Sequence, residues 1–534
     1  MTITPSKARR SRRPHAKVRR ARQAQSQQQQ GLVQQIIDEG ATSSAQAASA
    51  ALVTTASLSD AQLQTWHQDL QGRLEHIRRH AEQNLGFIEE QIALATKEPL
   101  RLLAQRAAQA KAKANATPCQ CQDCQTDLLN KKYLARTIDS RFGPLKVYRS
   151  YGWCSDCEAW HFPADHALGL GKNAPASPYV QEMAALLVSK MPPDQAVLVA
   201  ERMGLKLSRC LLHREAHRQG LKAEVARASD LTQLDTWEQL QHLAAASEGP
   251  PSQPFTLIIE IDAWNIRERD DWGQTEELRA QGQPLSRWHW VYVGTVFRLD
   301  HRAQTAGGRA VISQRAYAVT RLGVDALIRQ LYREAIACGL GQAKEVLVIA
   351  DGALWIWNAV KDRFPEARQR LDLYHGDEHL WAIARELYGQ GTPEARQWVD
   401  PLLKQLRNDD TTGVIQNLQE LQPRLNQALQ KKVQTQIDYF ENNQNRMRYR
   451  DIIRARKAVA KGKATPAQQI KANEPLGSGA IESTCRQYQC RFKRTGQFWS
   501  TAGDEALMCL ETFWRNGRWH VLFPHAKLTS PSLN

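Results

Sequence analysis

Three acids in the last two-thirds of the chain have the types and spacing to do chemistry together. Asp262 closes the apolar run Phe255-Thr-Leu-Ile-Ile-Glu-Ile-Asp262, and Asp351 closes Val346-Leu-Val-Ile-Ala-Asp351, with Gly352-Ala353 following. Glu482 stands in Gly477-Ser-Gly-Ala-Ile-Glu482, ahead of a basic stretch from Arg486 to Arg494. Apolar runs of this length read as buried strands, and carboxylates at the ends of such strands can converge on a divalent cation. Mg²⁺ or Mn²⁺ suits carboxylate and phosphate oxygens. The chain around the acids has a net charge of +16 and a pI near 9.4, which points to a polyanionic partner and a phosphodiester substrate. Each acid also has a plainer reading. An Asp after a strand caps the next helix, and a Glu in a first turn complements the helix dipole. Glu260, which shares the strand face of Asp262, competes for the role, as do Asp270, Asp271 and Glu474.

A second constellation is Cys121-x-x-Cys124 with Cys154-x-x-Cys157, the two pairs separated by 29 residues. Two such pairs suit a tetrahedral thiolate site at two hairpin knuckles, with structural zinc as the metal. Cys119, His161 or His166 could replace one ligand, and inert or redox cysteines are the plainer reading. Between the pairs, Gly143-Pro144 flanked by β-formers predicts a hairpin over 137–151. Five of the ten cysteines are scattered elsewhere, which argues for a reducing, cytoplasmic compartment and against a disulfide framework. No apolar run approaches the ~20 residues of a membrane span, and no apolar h-region opens the chain.

The elements that would position these residues divide the chain into successive regions. Residues 1–57 read as a disordered arm, Arg-rich and then Gln-rich. Nine Lys or Arg and no acid fall in the first 24 residues, leaving about +7 for the remainder. The arm is either a DNA-binding tail or a solubilising leader. Residues 58–115 hold a long amphipathic helix, roughly 60–95, with apolar positions from Leu63 to Ile92 in an eleven-residue pattern. That pattern fits either an oligomerising coiled coil or a helix packed on its own protein. Residues 116–170 form the zinc ribbon. Residues 175–227 read as three helices, the last capped by Ser208, that resemble a helix-turn-helix unit. Arg209, Arg214 and Arg218, with His213 and His217, would then lie on a recognition helix, although helical pairs with a Gly turn also occur without DNA contact. A linker is read over 228–253.

From 255 the pattern alternates. Strands are expected at 255–262, 288–297 and 310–319, then a helix at 323–338, a strand at 345–350, a helix at 353–362, a short strand near 370–374 and a helix at 377–388. A three-strand meander followed by helix–strand–helix–strand–helix is the order of an RNase H-like core, here over 254–392. Asp262 and Asp351 fall at the strand positions that carry metal-binding acids in such a core. The 131 residues from Asp351 to Glu482 require an α-helical insertion, read over 393–475, before a C-terminal catalytic helix and basic tail at 476–534. The expected fold class is α/β and multidomain. Two cations about 3.5–4 Å apart would hold the attacking and leaving oxygens of an in-line displacement. Asp372-Leu-Tyr-His375, with His379 one turn on, would order the site or position a phosphate; His375 and His379 at i, i+4 could also bind metal, and a plain structural role is the alternative. Arg486, Arg491, Lys493 and Arg494 would hold a DNA backbone, or form an ordinary solvated face.

At these residues the chain resembles bacterial DDE transposases of the ISKra type, insertion-sequence enzymes related to the Mutator group. Four blocks carry the resemblance: Cys121-Gln-Asp-Cys124 with Tyr151-Gly-Trp-Cys-Ser-Asp-Cys157; Ile261-Asp-Ala-Trp-Asn-Ile-Arg-Glu-Arg-Asp-Asp-Trp-Gly273; Ile349-Ala-Asp-Gly-Ala-Leu-Trp-Ile-Trp357 with Leu371-Asp-Leu-Tyr-His375; and Gly477-Ser-Gly-Ala-Ile-Glu482 with Arg491-Phe-Lys-Arg-Thr-Gly-Gln-Phe-Trp499. Ala263 stands where related groups often carry Gly, and residues 1–118 match nothing specific. The resemblance implies a catalytic triad of Asp262, Asp351 and Glu482 with Asp372 and His375 as auxiliary residues. It also implies divalent metal, double-stranded DNA with terminal inverted repeats and a target, and a homo-oligomeric synaptic complex. A domesticated DNA-binding regulator and a nuclease that cleaves without joining remain the alternatives.

Overall fold

The computed structural model describes residues 60–80, 84–116, 120–121, 123–171, 174–245, 254–305 and 310–524. The arm at 1–57, Cys119 and the last ten residues lie outside them. The described chain divides into two compact units, one up to Gln181 with Met203–Lys206, the other Glu182–Arg202 and from Leu207 onward. Among the described residues no helix is long and apolar enough to cross a membrane.

In the first unit the apolar periodicity at 60–95 forms two helices, not one: α1 (Asp60–Arg79) and α2 (Leu85–Ala114). The reason is local. Asn84 caps the second helix, its side chain accepting from the Phe87 N–H at 3.2 Å, and a cap sets a start that periodicity cannot show. β1 (Leu129–Ser140) and β2 (Gly143–Cys154) make an antiparallel hairpin in which Ser140 faces Gly143, and β3 (Ala159–His161) pairs with β2. Gly143 has φ +110°, a conformation glycine adopts without strain. Gln109 of α2 acts on β2 as another strand would, donating to the Tyr148 carbonyl and accepting from its N–H, each at 2.8 Å. Asp165 of α3 (Pro163–Ala167) sits between Arg136 at 2.5 Å and Arg149 at 2.6 Å, all three largely buried.

The second unit includes α4 (Pro178–Lys190) from Glu182, then α5 (Pro193–Arg202), α6 (Arg209–Thr232) and α7 (Trp237–Ala245). Ser208 caps α6, accepting from the Leu211 N–H at 3.1 Å. Helix therefore fills 228–232 and 237–245 of the stretch read as a linker, and 246–253 lie outside the described residues.

A mixed five-stranded sheet forms the centre. Its strands are β4 (Thr256–Glu268), β5 (Arg287–Arg298), β8 (Ala316–Thr320), β9 (Glu345–Ala350) and β10 (Arg368–Leu371), in the order β10-β9-β4-β5-β8. The first three strands of the sheet are antiparallel neighbours, while β9 runs parallel to β4 and β10 parallel to β9. Between β4 and β5 lies the short helix α8 (Thr275–Ala280). The third strand read at 310–319 is interrupted. Its first part, β7 (Ala310–Ile312), pairs with β6 (Arg302–Gln304) in a separate ribbon, and only β8 joins the sheet.

Alternation along β4 supplies both faces. Leu257, Ile259 and Ile261 join the large core with residues of α9 (Val324–Ala337), α10 (Leu354–Arg363) and α11 (Leu373–Tyr388). Ile258 packs on the other side with Phe297, Leu347 and Ile349, against Ala480. The helices α12 (Pro393–Arg407), α13 (Thr411–Leu421), α14 (Gln427–Asn443), α15 (Arg450–Ala460) and α16 (Pro466–Asn473) follow. Val399, Leu406, Val414, Leu418, Val433 and Phe440 belong to the same core as Leu371 and Leu380, so the inserted helices share the sheet's own hydrophobic interior. α17 (Gly479–Phe492), α18 (Thr501–Arg515) and α19 (Trp519–Leu522) end the described chain. Buried charges pin α18: Arg321 lies between Glu268 and Asp504, and Glu505 accepts from the Thr320 hydroxyl and pairs with Arg227. Such pairs add little net stability over an apolar core, but breaking one costs about 3–5 kcal/mol.

Candidate active site and metal centre

Asp262 does not end its strand as the sequence reading had it. β4 runs six residues further, to Glu268, because Trp264 and Ile266 continue the buried alternation. What ends near Asp262 is the pairing with β9. The last matched positions are Glu260 and Ile349, and two residues beyond them the chains carry Asp262 and Asp351. The two acids therefore sit where parallel neighbours part.

The Gly352 φ of +103°, with Leu371 and Tyr439 side-chain atoms 2.8 and 2.9 Å from where a Cβ would be, turns the chain sharply after Asp351. Asp351 Oδ1 then accepts from the Ala353 N–H at 3.0 Å, and its carbonyl accepts from the Tyr439 hydroxyl at 2.9 Å. Asp262 Oδ1 accepts from the Ala263 N–H at 2.6 Å, and Oδ2 lies 3.5 Å from Cys485 Sγ. Burial raises the Asp262 carboxyl above its usual range, the Ala263 N–H opposes this, and the charge of Asp351 raises it further. Cys485 is one turn from Glu482 on α17, so the two share a helix face. Its thiol is pushed up by burial, then by Asp262, and also by Glu482.

Glu482 comes closest to the auxiliary pair. One ligand atom each from Asp372, His375 and Glu482 lies within 4.8 Å of the others. Asp372 is fully buried and caps α11, Oδ1 accepting from the N–H groups of Tyr374 at 2.6 Å and His375 at 3.3 Å. Its helix begins at Leu373, four residues earlier than the sequence reading, because Asp372 takes the cap position. Oδ2 accepts from the N–H and the hydroxyl of Ser478. Burial disfavours the Asp372 charge, yet His375 and the two Ser478 donors hold its carboxyl below the usual range. His375 is raised to about 9, chiefly by Asp372, with burial opposing. The Nδ1–Oδ2 separation of 3.5 Å sits at the long limit of a hydrogen bond and makes the two an ion pair when His375 is protonated. His379 stacks on Tyr439 with ring centroids 3.6 Å apart and contacts Gln436, so it braces the inserted helices.

Glu260 is the residue that sequence reasoning undervalued. It is 1 % exposed, and its Oε2 accepts from the Ile481 N–H at 2.8 Å. Burial pushes its carboxyl up to about 8 against the opposing N–H groups of Ile481 and Ala480. It holds the start of α17, and through it Glu482. The signal for this was its position two residues before Asp262, within the otherwise apolar buried run Leu257–Ile261.

The basic residues fall into two groups. Arg486, Lys493 and Arg494 are exposed, although Lys493 and Arg494 follow the end of α17 instead of lying on it. Lys493 donates to Asn265 Oδ1 at 2.8 Å. Arg491 departs from the expectation. It is buried, donates to the Val188 carbonyl from Nε at 3.1 Å and from Nη2 at 2.8 Å, and lies 4.9 Å from the Trp499 ring. Its guanidinium is committed to the fold. On α6, Arg209 and Arg214 are exposed and Arg218 is half-buried. Arg209 pairs with Asp194, and Arg218 with Glu215 at 3.3 Å. The opposite face of α6, including Leu211, Leu212 and Ala223, is buried.

In the first unit the four expected cysteines meet. Sγ separations are 3.7 Å for Cys121–Cys157, 3.4 Å for Cys124–Cys154 and 3.5 Å for Cys124–Cys157. A tetrahedron of sulfurs about 2.3 Å from zinc has edges near 3.8 Å, so the four fit a structural metal such as zinc. Cys121 also lies 3.7 Å from His161 Nε2, and Cys121, Asp123, Cys157 and His161 form an overlapping set. His166 is exposed on α3 and belongs to neither set.

No curated protein matches the chain. Residues 332–521, from α9 into α19, are similar to the Uncharacterised protein family (UPF0236), a stretch that includes Asp351, Asp372, His375 and Glu482.

Proposed function

We propose that this chain is a DNA transposase of the DDE type with an RNase H-like core, cutting at the ends of its own element and joining them to target DNA. The observation that supports this reading is that Asp262 and Asp351 each stand two residues beyond the last matched pair of the parallel strands β4 and β9, while Cys485, one turn from Glu482 on α17, lies 3.5 Å from Asp262, in a chain of net charge +16. The sheet order, with strands one to three antiparallel and the fourth beside the first, supports the RNase H-like assignment. The donors are all oxygen, and Asp262 is raised by burial and by Asp351, a repulsion that a divalent cation would relieve. Asp262, Asp351 and Glu482 would hold Mg²⁺ or Mn²⁺. When bound, such ions neutralise phosphate charge and lower the pKa of water. Asp372, with Glu260, fixes the start of α17 and so the reach of Glu482. His375, largely protonated at neutral pH, offers a positive donor to a phosphate oxygen.

The DNA partner is double-stranded, with terminal repeats and target held by exposed cations such as Arg209, Arg214, Arg486, Lys493 and Arg494. Synapsis of two element ends would require a homo-oligomer. The test is strand transfer with labelled element ends, a target plasmid and Mg²⁺ or Mn²⁺, comparing the unmutated chain with Asp351→Asn. Metal-dependent joined products that vanish in the variant are expected. End binding without cleavage would replace the reading with a DNA-binding regulator, and cleavage without joining with a nuclease.

A further inference from the structure

The hairpin of β4 and β5 extends past the acids and carries an aromatic stripe. Trp288 and Trp290 are 58 % and 53 % exposed. They lie opposite Arg267 and Asn265, and with Tyr292 they share one face of β5, since side chains alternate along a strand. Tyr292 packs edge-on against Trp355, ring centroids 5.3 Å apart, and Trp355 is on α10, the helix that follows Asp351. The stripe therefore starts against the helix that follows Asp351, on the sheet face opposite the Asp262 side chain, and runs outward along β5 into solvent.

Cations flank the stripe. Arg267 lies 5.3 Å from the Trp288 ring and 4.7 Å from Phe498, and Lys493 Nζ lies 5.7 Å from Trp288. The segment after α17 is tied to this end of β4: Trp499 N–H donates to the Arg267 carbonyl at 3.0 Å, and Arg269 N–H donates to the Trp499 carbonyl at 2.8 Å. Among the described residues the two indoles are left half-exposed on a paired strand and are bordered by positive charge. Large exposed rings beside cations match the chemistry of an unpaired nucleic-acid strand, in which each base offers a π-face and each phosphate a charge. In a duplex the base faces are already stacked on one another, so it would gain little from the indoles.

We infer that Trp288 and Trp290 form a stacking platform for unpaired bases of a DNA strand that runs along the outer end of the β4–β5 hairpin, with Arg267 and Lys493 holding its phosphates. The inference rests on the DNA-processing reading above. The test compares binding of a labelled oligothymidylate of about 16 nucleotides and a duplex of equal length to the full chain in EDTA, so that catalysis plays no part. Trp288→Ala/Trp290→Ala should weaken oligothymidylate binding about 100-fold, roughly tenfold for each stacked ring. Duplex binding should change less than about twofold, and Trp288→Phe/Trp290→Phe should restore most of the single-strand affinity. Unchanged oligothymidylate binding in the alanine variant overturns the platform and leaves the DNA reading standing. An equal loss for duplex also overturns it, assigning the indoles to general DNA contact. If the unmutated chain binds neither probe, the DNA reading falls and the inference falls with it.

Discussion

Asp372 Oδ2 accepts two hydrogen bonds from one residue, Ser478: the backbone N–H at 2.6 Å and the hydroxyl at 2.5 Å. This joins the first turn of α11 to the residue just before α17, across 106 positions of sequence. The place of Glu482 is thereby set from Asp372 and, through the Ile481 N–H, from Glu260. Asp372→Ala leaves the Tyr374, His375 and Ser478 donors without their acceptor and removes a helix cap. We expect a loss of about 2–4 kcal/mol in denaturant unfolding. At a temperature where the variant stays folded, joined product should fall about 100-fold, the cost of misplacing a reacting group by an ångström. Full strand transfer by the variant would show that Glu482 needs no such anchor.

Arg491 and Arg486 stand five residues apart on α17 and should behave oppositely. Burial lowers the Arg491 guanidinium to about 10, and its donors are spent on Val188. Arg491→Ala should cost about 3 kcal/mol of stability with no change in the salt dependence of DNA binding. Arg486→Ala should leave the unfolding midpoint in place and reduce the slope of log affinity against log salt by about 1. Anisotropy titrations over a salt series, beside denaturant curves, separate the two. A reduced slope in the Arg491 variant at unchanged stability would return that residue to the DNA surface.

The four-cysteine cluster predicts one tightly held zinc per chain. Chelation, or Cys154→Ser, should remove the metal and with it a calorimetric transition belonging to the first unit, since structural zinc supplies on the order of 10 kcal/mol to small domains. Elemental analysis and scanning calorimetry check this together. A chain that purifies without zinc and melts unchanged after chelation would reduce the cluster to four free thiols.

Glu474 gives a pH dependence with a definite sign. Burial opposes its charge, but Arg370 and Arg368, 2.5 and 3.1 Å away, outweigh burial and hold the carboxyl down at about 2. Its folded value lies below the unfolded one, so its stabilisation is fully present above about pH 4.5 and is lost as pH falls toward 2. The difference corresponds to about 3 kcal/mol. Glu474→Gln should be less stable at neutral pH and should show a shallower acid limb in urea titrations between about pH 5 and pH 2. Parallel acid limbs for the two proteins would mean that the arginines do not hold this carboxylate in solution.

The parts legible from sequence are those in which local pattern and tertiary need agree. The strand read at 345–350 is β9 to the residue, and Gly143-Pro144 marks the hairpin. The two CxxC pairs meet because short-range spacing and a hairpin suffice to bring four sulfurs together. What escaped depended on partners distant in sequence. Nothing near Arg491 shows that Val188 will lie against it. Glu260 looks like a polar interruption until Ile481, 221 residues later, supplies the N–H it accepts. The break at 310–319 follows from β7 pairing with β6, a tertiary choice that β-propensity does not encode.

In the linear sequence, residues 393–475 separate Asp351 from Glu482; in the folded chain they buttress the turn that carries Asp351. Tyr439 of α14 fixes the carbonyl of Asp351 and stacks on His379, while Tyr449 donates to the Leu371 carbonyl at 3.1 Å, next to Asp372. A shortened chain splicing Tyr388 to Glu474 would strip partners from two of the acid-bearing turns and open the main core to water. Any lineage or designer trimming these helices would have to rebuild the floor beneath Asp351 from other residues.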